Sequence, residues 1–319
     1  MFQCARSSRR RCVITAVESA VVVVSVLFFL VSLHMSSREE LRLNTAAAAI
    51  AGFIQPAIFN PLDCLRVRWQ VAAVNASEQS LLAFARGIVD REGFVRGLYL
   101  PGQPWNCVAV ALSQGLRLGL YPTVRDSLLG SKSQSAVRPD VMAVAGLLSG
   151  SLAYLLSAPL WLLKTRSQAE SQFGSSSKAP PLPSSLGGYW TGSTPLVLRG
   201  ALITAGWTSG YDATKRLVRD QQKVLSDGPL LQGVAGVIAG VGAATLSAPA
   251  DVLQTRMQSS RHRTSIGVLG SAHAVWLNEG AAGFFRGWSV SVARLVPTVI
   301  VGSLIYEHAR RLLGLSYLR

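Results

Sequence analysis

Three short segments of the sequence combine a proline with charged or polar side chains at a fixed spacing. They read PLDCLRVRWQ from Pro61, PLWLLKTRSQ from Pro159 and PADVLQTRMQ from Pro249, so their prolines are 98 and then 90 residues apart. Each segment closes an apolar stretch, where a charged side chain is costly unless it meets a partner. Because three spaced copies could supply partners to one another, the pattern predicts ion pairs between repeats rather than catalysis.

Two isolated arginines lie inside other apolar stretches. Arg199 stands in LVLRGALI and Arg294 in SVARLVPT, each twelve residues before a tyrosine, Tyr211 or Tyr306. A guanidinium group presents a fork of donors that matches a carboxylate or a phosphate. If both side chains face one cavity, they predict a site for a small anion. The structural alternative is that each arginine only balances a neighbouring acid.

The apolar stretches that position these residues occur in three pairs. They cover residues 45–60 with 102–125, 139–158 with 192–215, and 229–248 with 287–310. The second stretch of each pair is of a length that can cross a bilayer as a helix, and small residues such as Gly52, Gly146 and Gly236 would let helices approach closely. The sequence therefore predicts an all-α membrane protein with six transmembrane helices in three pseudo-symmetric repeats. The predicted repeats span residues 35–130, 131–220 and 221–319.

Composition agrees with a membrane protein and gives no sign of an enzyme. Hydrophobic residues make up 49% and charged residues 15% of the chain, whereas a soluble domain usually carries about 25% charged residues. The net charge of +15 indicates anionic surroundings such as lipid headgroups or anionic solutes, and no nucleic-acid motif accompanies it. The scattered cysteines and histidines indicate neither a disulfide framework nor a metal site. No nucleophile–base pair, phosphate-binding loop or dinucleotide fingerprint appears, so no cofactor is expected.

The three motifs, together with EGAAGFFRG at 279–287 and the looser REGFVRGLYLPG at 91–102, resemble the mitochondrial carrier family. The resemblance covers about residues 45–313 and is nearest the dicarboxylate, oxoglutarate and uncoupling-protein branch. It implies a pseudo-threefold barrel of six helices around a water-filled cavity. It also implies that the odd-numbered helices are kinked at their motif prolines, Pro61, Pro159 and Pro249.

The resemblance further implies a gate of ion pairs on the matrix side, where the acid of one odd helix meets the first base of the next. The expected pairs are Asp63 with Lys164 and Asp251 with Arg66. The third position holds Trp161 and Gln254, so both the acid and the base are missing. Losing one member of a buried pair costs about 3–5 kcal/mol, whereas replacing both can be neutral. We therefore expect two ion pairs, braced by Gln70, Gln168 and Gln258.

A second gate is implied on the cytoplasmic side. Its expected pairs are Asp212 with Arg310 and Glu307 with Arg125. Lys215 lacks a partner because Pro122 occupies the position of the third acid. Since each gate forms only when its end of the barrel closes, alternating their formation would open the protein to one side at a time.

The family's substrate contacts fall on the even-numbered helices. The resemblance places Arg199 and Gly200 on the fourth helix and Arg294 on the sixth, with Ala109 where carboxylate carriers often have another arginine. Arg117, in GLRLGLY, matches a stretch of uncoupling proteins and dicarboxylate carriers and could line the same cavity. We expect Arg199 and Arg294 to be left free of the gates for the cargo.

Together these features predict transport of a small anionic metabolite, with a di- or tricarboxylate favoured, across the mitochondrial inner membrane. A peroxisomal or other organelle membrane is the alternative location. The alternative functions are a degenerate carrier that acts as a membrane scaffold or adaptor, and a proton leak like that of uncoupling proteins. The expected partners are the anionic solute and the bilayer, including anionic lipids such as cardiolipin, and we expect a monomer.

Residues 1–34 do not fit this pattern. Four arginines, Arg6 and Arg9 to Arg11, precede an apolar run from Val13 to Leu33 that is long enough to span a bilayer or act as a signal anchor. The other interpretation is that translation starts at Met35. An N-terminal peptide of the native protein that maps upstream of Met35 would refute that second interpretation.

Overall fold

The fold was analysed in a computed structural model that describes parts of all three predicted repeats. The described residues are 39–72, 80–129, 139–169, 183, 185–206, 229–259 and 267–314. The extension at residues 1–34 lies outside these ranges. Every regular element within them is helical, which confirms the all-α fold.

Eight helices carry the architecture of the described residues. They are α1 (Glu39–Val71), α2 (Leu81–Glu92), α3 (Gln103–Leu129), α4 (Pro139–Ala169), α5 (193–206), α6 (Pro229–Ser259), α7 (Gly267–Glu279) and α8 (Trp288–Leu312). The helices form three sets, one for each repeat: α1 to α3, α4 with α5, and α6 to α8. The first and third sets share one order: a long helix, a short helix and a second long helix. In the second set, a short helical segment, Leu186–Trp190, precedes α5.

Each motif proline lies inside a long helix rather than at its end, with Pro61 in α1, Pro159 in α4 and Pro249 in α6. Proline removes one backbone hydrogen bond and crowds the preceding turn, so these positions are where a kink is expected.

Three described helices are long and apolar enough to cross a membrane, namely Leu41–Val71, Val144–Ala169 and Gly236–Ser259. They belong to α1, α4 and α6, the first long helix of each set. At 27 and 25 residues, α3 and α8 also exceed the roughly 20 residues that span a bilayer core.

The long helices turn apolar side chains outward and polar side chains inward. On α4, Val144, Leu148, Leu152 and Leu155 recur three to four residues apart and are all exposed, so they form a continuous apolar stripe. Charged motif residues such as Lys164 are buried on the same helix. This arrangement is the reverse of a soluble helix bundle, and it suits a helix with lipid outside and a polar interior.

Small residues let two of the described helices approach each other closely. A Cβ built on Gly52 of α1 would lie 3.0 Å from the backbone of Ala111 in α3, so these two helices do touch closely. Among the described residues, no atom of a neighbouring element lies within 4 Å of such a Cβ at Gly146 or Gly236. The prediction is therefore confirmed at Gly52 and stays a prediction at the other two glycines.

Candidate functional site

A cavity of about 140 Å³ lies between the long helices. Its charged lining consists of Asp63, Arg66, Lys164, Arg199 and Arg294. Its uncharged lining includes Gln55, Phe59, Ser113, Gln114, Tyr154, Trp161 and Thr298. A second cavity, of about 230 Å³, shares Gln55, Gln114 and Thr298 with the first and continues toward Tyr306. The two cavities therefore adjoin and form a passage, and its charged side chains all line the first cavity.

Asp63 of α1 contacts two cations from different repeats. Its carboxylate lies 3.5 Å from Nζ of Lys164 on α4 and 2.6 Å from Nη1 of Arg294 on α8. Asn106 of α3 donates a hydrogen bond of 3.1 Å to Oδ2 of the same carboxylate. The side chains of Asp63 and Lys164 are only 4% and 3% exposed, so little solvent screens their attraction.

Asp251 of α6 repeats this arrangement in the third repeat. Its carboxylate lies 3.3 Å from Nη1 of Arg66 and 2.7 Å from Nε of Arg199. Gln70 donates a hydrogen bond of 2.9 Å to Oδ2 of Asp251. Each carboxylate thus lies between one base of a proline motif and one arginine of α5 or α8.

The two ion pairs between motif residues are the ones that the family resemblance implied, but the expectation that Arg199 and Arg294 would be free is wrong. Each arginine contacts a motif carboxylate. Counting residues along a helix fixes the depth of a Cα atom. It does not fix the depth of a guanidinium group, because the arginine side chain is long enough to reach another turn.

The six charged residues form what we call the central ion cluster: Asp63, Arg66, Lys164, Arg199, Asp251 and Arg294. Among the described residues of this cluster, four positive charges meet two negative charges, which leaves a surplus of two positive charges. Unbalanced buried charge is costly unless a further counter-ion is present. The cluster is therefore suited to an anion with two negative charges.

Trp161 occupies the position at which the other two motifs have an acid. Its ring is 6% exposed and lies 4.6 Å from Nζ of Lys164 and 5.5 Å from Cζ of Arg199. The ring of Tyr154 packs beside it, with 5.9 Å between ring centroids. At the third base position, Gln254 donates to Gln258 at 3.2 Å. No ion pair forms between these two positions, since neither side chain carries a charge.

The three motif glutamines have different partners. Gln70 contacts Asp251 directly, as expected for a brace, whereas Gln168 donates to Asn60 at 3.0 Å and Gln258 accepts from Thr165 at 2.8 Å. What the three share is a backbone carbonyl oxygen that accepts a hydrogen bond from a motif arginine. Arg68, Arg166 and Arg256 donate to the carbonyl oxygens of Gln168, Gln258 and Gln70 at 3.1, 2.9 and 3.1 Å.

Arg68 and Arg256 also anchor the short helices of the first and third repeats. Arg68 pairs with Glu92 at the end of α2, at 2.9 Å, and Arg256 pairs with Glu279 at the end of α7 through both Nη1 and Nη2, the Nη2 contact being 2.7 Å long. Burial by itself would raise the pKa of Glu279, but the hydrogen bonds and charges of Arg256 and Arg286 outweigh it and hold that pKa below its usual range.

The cytoplasmic gate is described only in part. Asp212 and Lys215 lie outside the described residues, and the side chain of Glu307 is not described. Arg125 contacts its neighbour Asp126 at 2.7 Å on an exposed surface. Arg310 is buried, with Cζ 6.0 Å from the ring centroid of Tyr306. The pairings expected for this gate stay predictions.

The remaining candidate contacts fall in three different environments. Ala109 is fully buried in an apolar cluster with Leu112 and Leu196 and lines neither cavity, so it does not meet the expectation of a substrate contact. Gly200 packs under Tyr154, because a Cβ there would lie 2.4 Å from Cδ2 of that ring. Arg117 is exposed and lines neither cavity, and its role stays a prediction.

Sequence reasoning missed two buried amides. Asn60 donates to the carbonyl oxygens of Tyr99 and Pro101, at 2.5 and 3.1 Å, and accepts from Asn106 at 2.9 Å. Asn106 also donates to Asp63. Polar side chains inside apolar stretches are a usable signal, but neither residue recurs at the matching position of the other repeats. Within the described ranges, no cluster of metal-ligating residues is present.

Comparison with known proteins gives matches over nearly the whole described chain. The family model described as "Mitochondrial carrier protein" matches residues 38–132, 140–222 and 226–317. Mitochondrial substrate carrier family protein ucpB of Dictyostelium discoideum is 25% identical over 88% of this chain and 99% of its own length. Mitochondrial brown fat uncoupling protein 1 of Bos taurus is 28% identical, over 83% and 90%. Mitochondrial thiamine pyrophosphate carrier 1 of Candida albicans is 25% identical, over 86% and 91%.

Proposed function

Because the chain belongs to the mitochondrial carrier family, whose members are membrane transporters rather than enzymes, we propose that it carries a small anionic metabolite across the mitochondrial inner membrane. The preferred cargo is a di- or tricarboxylate. The observation that carries this proposal is the surplus of two positive charges in the central ion cluster, at the end of a cavity between the membrane helices.

Arg199 and Arg294 are the cargo-binding groups in this proposal. Each is held by a single motif carboxylate, at 2.7 and 2.6 Å, and an arginine can exchange one carboxylate for another without changing its geometry of recognition. A dicarboxylate that enters from the passage would offer one carboxylate to each arginine. The site then gains two negative charges, and all four cations have counter-ions.

The same exchange couples cargo to gating. In the empty protein, separating Asp63 from Lys164 or Asp251 from Arg66 would leave buried cations without partners, which is costly. With cargo bound, its carboxylates balance those cations while the matrix side opens. The cargo shifts the protein toward the open state only as far as it binds the open state more tightly than the closed state, as alternating access requires.

The test is a thermal-shift screen of the purified protein against di- and tricarboxylates, phosphate, sulfate and nucleotides, followed by exchange assays in proteoliposomes. We expect one group of anions to stabilise the protein and to be exchanged. Arg199→Ala and Arg294→Ala should each abolish both effects. A wild-type protein that responds to no anion would contradict the proposal and favour a scaffold or adaptor role.

Proton leak is a second candidate, and the similarity to brown fat uncoupling protein 1 favours it. It differs from metabolite transport in needing no exchanged solute. Proteoliposomes with a pH-sensitive dye inside and no carboxylate on either side separate the two functions. Proton flux under those conditions would support the leak, whereas exchange of a labelled anion without proton flux would support the carrier.

The inner-membrane location is part of the proposal and has its own test. The tagged protein should resist carbonate extraction, remain in mitochondria and become sensitive to protease only after the outer membrane is opened. Recovery in peroxisomes, or protease sensitivity in intact mitochondria, would contradict it.

A further inference from the structure

Trp161 changes the charge of the site where the other two repeats have an acid. The motifs read PLD in the first repeat, PLW in the second and PAD in the third. Asp63 and Asp251 each contact two cations. With a third acid at position 161 the central ion cluster would hold four cations and three acids, and its surplus would fall from two positive charges to one.

The ring of Trp161 nevertheless does part of what an acid would do. Lys164 lies 4.6 Å and Arg199 5.5 Å from the ring centroid, within the range in which the negative face of an indole attracts a cation. Its exposed fraction is only 6%, so the attraction is not weakened by water. A tryptophan can therefore stabilise both cations without neutralising either.

The surroundings of Trp161 fix this geometry. Tyr154 packs against it on the same helix, and Tyr154 is itself pressed onto Gly200, the neighbour of Arg199. Trp161 also belongs to the apolar cluster that contains Ala109 and Leu160. The ring thus contacts both a nonpolar support and two charged side chains, which a flexible aliphatic residue would not reproduce.

We infer that Trp161 is a positioning residue that sets the surplus charge of the cargo site at two and so makes the carrier prefer dianions to monoanions. This inference rests on the proposed function, since it names what selects among anionic cargoes. Trp161 lines the cavity beside Lys164 and Arg199 and acts on the cargo through the positions of those two cations. With Gln254 unchanged, an acid at this position would leave the site one positive charge less to offer.

The magnitude follows from simple electrostatics. A negative charge added about 10 Å from the cargo, at an effective dielectric constant of about 20, weakens binding of each cargo charge about tenfold. Trp161→Asp should therefore lower the affinity for a monoanion about tenfold and for a dianion about a hundredfold. The ratio of dianion to monoanion affinity then falls about tenfold.

Three further variants separate charge from packing. Trp161→Leu keeps the surplus at two and removes the aromatic face, so we expect lower thermal stability with the dianion preference retained. Trp161→Asp combined with Gln254→Lys adds one acid and one base, which returns the surplus to two, so the preference should recover. Ser127→Asp adds the same negative charge on the exposed end of α3 and should leave the preference unchanged.

The measurement is inhibition of exchange, together with thermal stabilisation, by malonate, succinate and sulfate as dianions and by monomethyl succinate and acetate as monoanions. Equal dianion preference in the wild type and Trp161→Asp would overturn the inference, and so would loss of that preference in Trp161→Leu. If neither dianions nor monoanions affect the wild type, the proposed function itself fails. Dianion binding that all the variants share would leave the proposed function standing and remove only the role of Trp161.

Discussion

Replacing Asp63 with alanine should destabilise the protein strongly, because this one carboxylate balances two cations. Lys164 lies 3.5 Å away and is 3% exposed, whereas Arg294 lies 2.6 Å away and is 23% exposed. Removing one member of a buried pair costs about 3–5 kcal/mol. Most of that cost should come from Lys164, since partly exposed Arg294 can be stabilised by water.

The decisive comparison is between single and double variants. Asp63→Ala leaves Lys164 buried without its carboxylate, whereas Asp63→Ala with Lys164→Ala removes both charges. We expect the double variant to recover more than half of the lost stability, about 2 kcal/mol or more. The remaining deficit reflects Arg294 and Asn106, which also contact Asp63.

The assay is thermal unfolding of the purified protein in detergent, followed by tryptophan fluorescence, with anion exchange measured in parallel. A matched control is Asp126→Ala, which removes an exposed carboxylate that also contacts an arginine, Arg125, at 2.7 Å. This control should change stability by less than about 0.5 kcal/mol. The reasoning is refuted if Asp63→Ala is no worse than Asp126→Ala, or if the double variant is no more stable than Asp63→Ala.

Two further predictions concern packing and pH. Gly200→Ala should destabilise the protein by about 1–3 kcal/mol, because its Cβ would overlap the ring of Tyr154; unchanged thermal unfolding would contradict that packing. Glu279 has its pKa held below the usual range, so its contribution to stability is present above the ordinary glutamate pKa of about 4.3 and is lost as the pH falls below it. Glu279→Gln should therefore lower stability at pH 7 and flatten its decline in acid, and equal pH profiles for the two proteins would count against this ion pair.

The sequence alone determined the family-level architecture and the partners inside the proline motifs. Three copies of one motif at near-equal spacing require three similar units, and a charge in an apolar helix requires a partner at the same depth. Those two constraints require partners for Asp63 and Asp251, and the resemblance to the carrier family implies that the partners are Lys164 and Arg66, which the structure places in contact. The same resemblance pairs position 161 with position 254, where Trp161 and Gln254 have changed together.

Only the tertiary structure decided how these ion pairs connect to Arg199 of α5 and Arg294 of α8. Residue spacing places Arg199 and Arg294 on a turn of a helix, but the rotation of each helix and the reach of its side chains decide which neighbour they meet. Packing likewise turned Ala109 into the apolar cluster rather than the cavity. It also brought the ring of Trp161 beneath two cations. Contacts between elements distant in sequence depend on all the helices at once, and no single stretch of residues encodes them.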